Sequence, residues 1–283
     1  MSGIHKSPFH GFSSEFAEHK IYNKGESTRY IDWRLYARTD KLYTKTFEEE
    51  TNLRCHFILD NSSSMYYPEV QELSLATLNK IGFSVLAVAA IMQTMKKQRD
   101  AVGLSIYSDD YYFSSRDLSN ERHYYRLLDE LNQVANHRGP HGEHSRTYTY
   151  LHQIAEKIHR RSMIFLFSDL LQTEVSDTEL FEALRHLKYN KHDVVVFHTL
   201  DAETEVDFNF DNRPRRYIDV ESGRRMDLYA DTIRDDYRRR MDEYLHELQL
   251  QCAKYKIKYI PVDIRRPFDQ VLNAFFIERR SFG

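Results

Sequence analysis

The sequence predicts an α/β fold, a doubly wound and mostly parallel sheet with helices on both faces, preceded by an N-terminal arm or hairpin. Three observations carry that expectation. From residue 51 onward, short apolar runs alternate with longer segments of helical period, the order that builds a parallel sheet covered on both sides. Residues 163–167 are continuously apolar between two helical segments, as a strand buried on both faces requires. Residues 1–50 lack this alternation and are polar, aromatic and charged. The expected organisation is therefore an arm or hairpin over residues 1–50 and one domain over residues 51–283.

Taken in order, the arm holds turn signals at Gly11 and Gly25, a dense aromatic and basic run at residues 29–38, and a period-two stretch at residues 41–47. Residues 53–59 read as a strand, followed by a loop and a long helix from about Pro68 to Lys97. Residues 102–107 form a second strand and residues 111–113 a short edge strand. Helical periods cover residues 119–134 and 150–159, then comes the strand at 163–167. A helix at 177–189, a strand at 194–200, a helix at 230–255, a strand at 257–262 and a helix at 268–278 complete the series. Residues 202–223 read as a loop with a short strand at 216–220.

The composition narrows the class. Forty basic against 43 acidic residues leave a formal charge of −3, which exerts no global pull toward nucleic acid or an anionic membrane. The two cysteines, Cys55 and Cys252, make no disulfide framework, and no secretory leader pattern opens the sequence, so a reducing, cytoplasmic setting is expected. Residues 81–95 are almost continuously apolar but fall short of the roughly 20 residues a membrane span needs. They are expected to form a helix buried in the core.

Ligands in open α/β sheets gather at the carboxyl ends of strands near a topological switch point. The first strand runs directly into Asp60-Asn61-Ser62-Ser63-Ser64-Met65, and the strand at 163–167 runs into Ser168-Asp169. If those strands are neighbours, two carboxylates and several hydroxyls meet at one edge. Hard oxygen donors without cysteine or histidine suit Mg²⁺, Mn²⁺ or Ca²⁺ over zinc. With only two acids, a bound ion keeps positive character and a position for an outside carboxylate.

Asp60-x-Ser62-x-Ser64 after an apolar strand resembles the metal-ion-dependent adhesion site of von Willebrand factor A domains. That resemblance implies a Rossmann-like doubly wound fold and a site completed by Asp169 and a threonine, with Thr149 the better match and Thr147 the alternative. Glu15-Phe16-Ala17-Glu18, Tyr22-x-x-Gly25, Arg29-x-Ile31-Asp32-Trp33-Arg34, Ala37-Arg38-Thr39 and Phe47-Glu48-Glu49-Glu50 resemble the N-terminal signature of the bacterial "domain of unknown function 58" family. The family resemblance implies cytoplasmic proteins acting with MoxR-type AAA+ ATPases, in chaperone-like assembly or maturation.

Blander readings compete at each position. Asp60-x-Ser62-x-Ser64 alone could be an Asx turn or a helix cap. His137, His141 and His144 have ligand-like spacing but lie in a Gly/Pro loop, and read as solvated. Arginine runs at 213–216, 238–240 and 279–280 are interleaved with acids and read as solvated faces or ion pairs. Trp33, Arg34 and Arg38 either anchor the arm or contact a partner, and Tyr66 and Tyr67 could add apolar area to a partner surface. The leading reading is a cation-dependent protein-interaction module whose partner supplies a carboxylate. The alternative is a metal-dependent hydrolase or phosphatase. Against it, an aspartyl-phosphate mechanism needs a second acid where Ser62 stands, and no Gly-x-Ser-x-Gly elbow is present. A third reading is a structural adaptor with a vestigial site.

Overall fold

The computed structural model describes residues 15–23, 28–48, 53–70, 74–75, 77–108, 112–136, 147–171, 177–211, 213, 215–218, 225–228, 230–268 and 270. The chain divides into two units, one through Leu53 and one from Arg54 onward.

In the first unit, β1 (Glu15–Ile21) and β2 (Tyr43–Glu48) pair antiparallel around α1 (Trp33–Thr39), with a bulge between Phe16 and Glu18. The strand pair matches the expected hairpin, whereas the helix inside the basic run was not anticipated. Its cause is local. Asp32 Oδ1 accepts the N–H groups of Arg34 and Leu35 at 3.0 and 3.1 Å, which satisfies two donors that a helix start leaves unpaired. Asp40, in the left-handed region at φ 53°, ends the helix by donating its N–H to the Tyr36 carbonyl.

The second unit runs β3 (Arg54–Asp60), α2 (Lys80–Lys97), β4 (Ala101–Tyr107), β5 (Tyr112–Ser114), α3 (Glu121–Asn136), α4 (Thr147–Lys157), β6 (Met163–Ser168), α5 (Asp177–Tyr189) and β7 (Asp193–Leu200). There follow a small hairpin of β8 (Arg215–Ile218) and β9 (Arg225–Leu228), then α6 (Ala230–Lys254) and β10 (Lys258–Asp263). The sheet order is β10-β7-β6-β3-β4-β5, parallel throughout except for the edge strand β5. Helices α2 and α3 pack together, as do α4 and α5. Side chains alternate accordingly. Ile58, Ile164, Leu166 and Val196 share a core with Leu151, Ile154, Leu184 and Leu248 of α4, α5 and α6. On the other face Cys55 Sγ lies 3.4 Å from Met95 Sδ of α2, and Phe57 stacks on Phe165 with centroids 5.0 Å apart. Each such aliphatic or aromatic side chain taken fully out of water contributes roughly 1.5–3 kcal/mol.

Helix α2 is buried along most of its length, as expected for a core helix. No described helix is long and apolar enough to cross a membrane. The helix begins at Lys80 instead of near Pro68. Asn79, extended at φ −91° and ψ 176°, accepts the Gly82 N–H at 2.8 Å and sets the start there. Helix α4 begins at Thr147, so Thr149 sits in its first turn and not ahead of it. Residues 202–206, read as loop, form a single π-helical turn. The expected helix at 268–278 and the histidines 137, 141 and 144 lie outside the described residues, apart from residues 268 and 270.

Candidate functional site

Chain order and sheet order diverge at β3. The chain leaves β3 for β4 on one side and returns to β6 on the other, which makes the gap between β3 and β6 the topological switch point. Leu59 is in register with Phe167, so Asp60 and Asp169 emerge beside each other at the carboxyl edge. Both are 2 % exposed. The two strands whose adjacency the sequence argument required are neighbours.

The Asp60 loop curls back on its own carboxylate. Oδ1 accepts the Ser62 N–H at 2.9 Å, and Oδ2 accepts the Ser168 hydroxyl at 2.6 Å. Ser62 Oγ and Ser64 Oγ stand 3.1 Å apart, and Ser63 Oγ is buried with no hydrogen-bond partner among the described residues. Burial, and then the charge of Asp169, push the Asp60 carboxyl up to about 6, against the bonds from Ser168 and Ser62. Two buried carboxylates at neighbouring strand ends, with the Ser62 and Ser64 hydroxyls beside each other and no soft ligand, fit a hard divalent cation. Asp60, Ser62, Ser64 and Asp169 would hold such an ion.

Residues that the sequence argument gave no role complete the surroundings. The Lys80 ammonium, fully buried, donates to Asp169 Oδ2 at 2.7 Å and to Glu205 Oε1 at 2.5 Å. Glu205 belongs to the π-helical turn, and its Oε2 accepts the Asp201 N–H at 2.8 Å. His198 Nε2 donates to the Asp169 carbonyl at 2.6 Å, while the Tyr259 hydroxyl donates to Nδ1 at 2.6 Å. Desolvation lowers the His198 pKa to about 4, so the ring is neutral at physiological pH. Leu170 adopts φ 50°, a left-handed conformation costing about 1–2 kcal/mol for a branched residue. Its backbone is pinned there: its N–H donates to Ser168 Oγ at 3.0 Å and its carbonyl accepts the Tyr244 hydroxyl at 2.5 Å. One signal was available: Lys80 adjoins the apolar stretch 81–95, and a lysine drawn into a core is almost always paired.

The remaining expected site residues are placed as follows. Thr149 lines a cavity of about 340 Å³ with His152, Gln153, Glu156, Glu179 and Glu182. No hydrogen bond among the described residues joins it to the Asp60 loop. The Thr147 side chain lies outside the described residues. Tyr66 and Tyr67 are half-buried and tied inward: the Tyr66 hydroxyl donates to Asn61 Oδ1 at 2.8 Å and that of Tyr67 to Thr204 Oγ1 at 2.9 Å. In the first unit Trp33 is 60 % exposed with its ring edge-on to Tyr36, and Arg34 and Arg38 are exposed.

A separate buried network lies toward the other end of β3. His56 Nδ1 meets Asp117 Oδ1 at 2.7 Å and His56 Nε2 meets Ser105 Oγ at 2.8 Å. Gly103 makes room for it, because a Cβ there would overlap Asp117 Oδ1 and lie 2.7 Å from His56 Nδ1. Ser105 is fully buried within a paired strand, so the network is a satisfied polar core cluster.

A family model described as "Protein of unknown function DUF58" matches residues 18–247. No curated protein matches the sequence. Among solved structures, the chain is similar to an aerotolerance-related membrane protein from Bacteroides fragilis, at 15 % identity and a TM-score of 0.47, over 78 % of this chain and 97 % of that one. A conserved hypothetical protein BatB from Bacteroides thetaiotaomicron gives 14 %, 0.45, 82 % and 100 %. The von Willebrand A domain of SpRpn10 gives 11 %, 0.42, 79 % and 95 %.

Proposed function

The chain belongs to the DUF58 family, and from that premise we propose that it is a divalent-cation-dependent protein-interaction module. The observation that supports this reading most is the meeting of Asp60, Ser62, Ser64 and Asp169 at the switch point of a doubly wound sheet. A bound Mg²⁺, Mn²⁺ or Ca²⁺ would supply a Lewis-acidic point that an incoming carboxylate can complete. The protein's own contribution is to hold the donors. Asp60 is oriented by Ser62 N–H and Ser168 Oγ, the Asp169 carbonyl by His198 and the adjoining Leu170 carbonyl by Tyr244. With the partner's Asp or Glu displacing water at a partly desolvated edge, orientation and specificity come from a charge-assisted contact.

The proposed partner class is a protein presenting a carboxylate, with a MoxR-type AAA+ ATPase as the family's expected candidate and the cytoplasm as the setting. The test is capture of such an ATPase, with and without chelator, by the wild type and by Asp60→Ala. Capture lost in chelator and in Asp60→Ala supports the reading, and capture indifferent to both overturns it in favour of a plain adaptor. Phosphoester turnover that disappears in Ser62→Ala while the fold persists would instead establish the hydrolase alternative.

A further inference from the structure

The buried lysine at the head of α2 lies between Asp169, one of the two acids of the candidate site, and Glu205. Its ammonium is fully buried and bridges Asp169 Oδ2 and Glu205 Oε1, whose side chains are 2 % and 16 % exposed. Held between two carboxylates, the ammonium sets a positive charge directly against Asp169. Two carboxylates, those of Asp169 and Glu205, therefore share one positive charge.

We propose that Lys80 is a built-in counter-cation that sets the divalent affinity of the Asp60–Asp169 site, keeping it weak until a partner carboxylate adds the missing negative charge. This rests on the metal reading above. The physical basis is that ligand charge count tunes the affinity of oxygen sites over orders of magnitude. Oδ2 of Asp169 is already engaged by the ammonium, and Oδ1 is only loosely satisfied by the Leu171 N–H at 3.3 Å, so Lys80 offsets part of this carboxylate's attraction for an ion. Glu205 moderates the effect. It draws the ammonium partly toward the π-helical turn, and removing its charge leaves Lys80 to neutralise Asp169 alone.

Removing the Lys80 charge and removing the Glu205 charge thus have opposite expected outcomes, which a merely structural lysine would not produce. Calorimetric titration with MgCl₂ should show Lys80→Met binding at least tenfold tighter than the wild type. Because that variant leaves Glu205 buried without its partner and risks unfolding, the double variant Lys80→Met/Glu205→Gln serves as the second arm and should bind at least tenfold tighter than Glu205→Gln alone. Glu205→Gln alone should bind several-fold more weakly. Wild-type binding, with affinity in the double variant no higher than in Glu205→Gln alone, overturns the role of Lys80 and leaves the metal reading standing. No Mg²⁺ binding by the wild type or by any variant overturns both.

Discussion

Neutralising Asp60 is expected to stabilise the metal-free protein while abolishing its response to the ion. The carboxyl is raised from 3.8 to about 6, so the folded state prefers it protonated. The sign follows from linkage: between those values the native state binds more protons than the unfolded chain, and stability falls as pH rises through the window. A shift of that size corresponds to about 3 kcal/mol above pH 6. Asp60→Asn removes this cost, keeps an acceptor for the Ser62 N–H and gives up about 1 kcal/mol of hydrogen bonding to Ser168. A net gain of about 2 kcal/mol is expected at pH 8 in chelator by urea denaturation, shrinking toward zero near pH 4.5. Saturating Mg²⁺, at 100-fold over its dissociation constant, should return about 2.7 kcal/mol to the wild type and little to Asp60→Asn. The stability order then closes or reverses on adding the ion. Asp60→Asn destabilised equally at pH 8 and pH 4.5 would refute the electrostatic account.

Two further perturbations probe the surroundings. His198, lowered from 6.5 to about 4, contributes stability that is complete above pH 6.5 and lost as pH falls toward 4, by about 2 kcal/mol at pH 5. His198→Gln should flatten that acid limb in a denaturation series, and an unchanged limb would place the acid sensitivity elsewhere. Gly103→Ala should cost about 3 kcal/mol by forcing Asp117 off His56, seen as a lower urea midpoint with unchanged slope. A loss below about 0.5 kcal/mol, the range of ordinary surface substitutions, would show that the loop at Asp117 yields freely.

The sequence by itself determined the alternation of strands and helices, the buried character of α2, and the two loops that carry Asp60 and Asp169. These are properties of local pattern: apolar runs, periods and oxygen-rich segments immediately after strands can be read one window at a time. The start of α2 escaped that reading because Pro68 looks like a helix opener, while the capping geometry of Asn79 exists only once the chain has folded. Thr149 was placed ahead of its helix for the same reason, since a helix boundary shows only weakly in periodicity. Tertiary structure alone decided that β3 and β6 are neighbours, which lets the charge of Asp169 help raise the Asp60 carboxyl. It also decided that Lys80, the residue just ahead of the apolar stretch 81–95, ends fully buried between Asp169 and Glu205. Burial and charge pairing act through space and join residues far apart along the chain. The fold determines which of those residues meet, and the sign and strength of the site follow from that meeting.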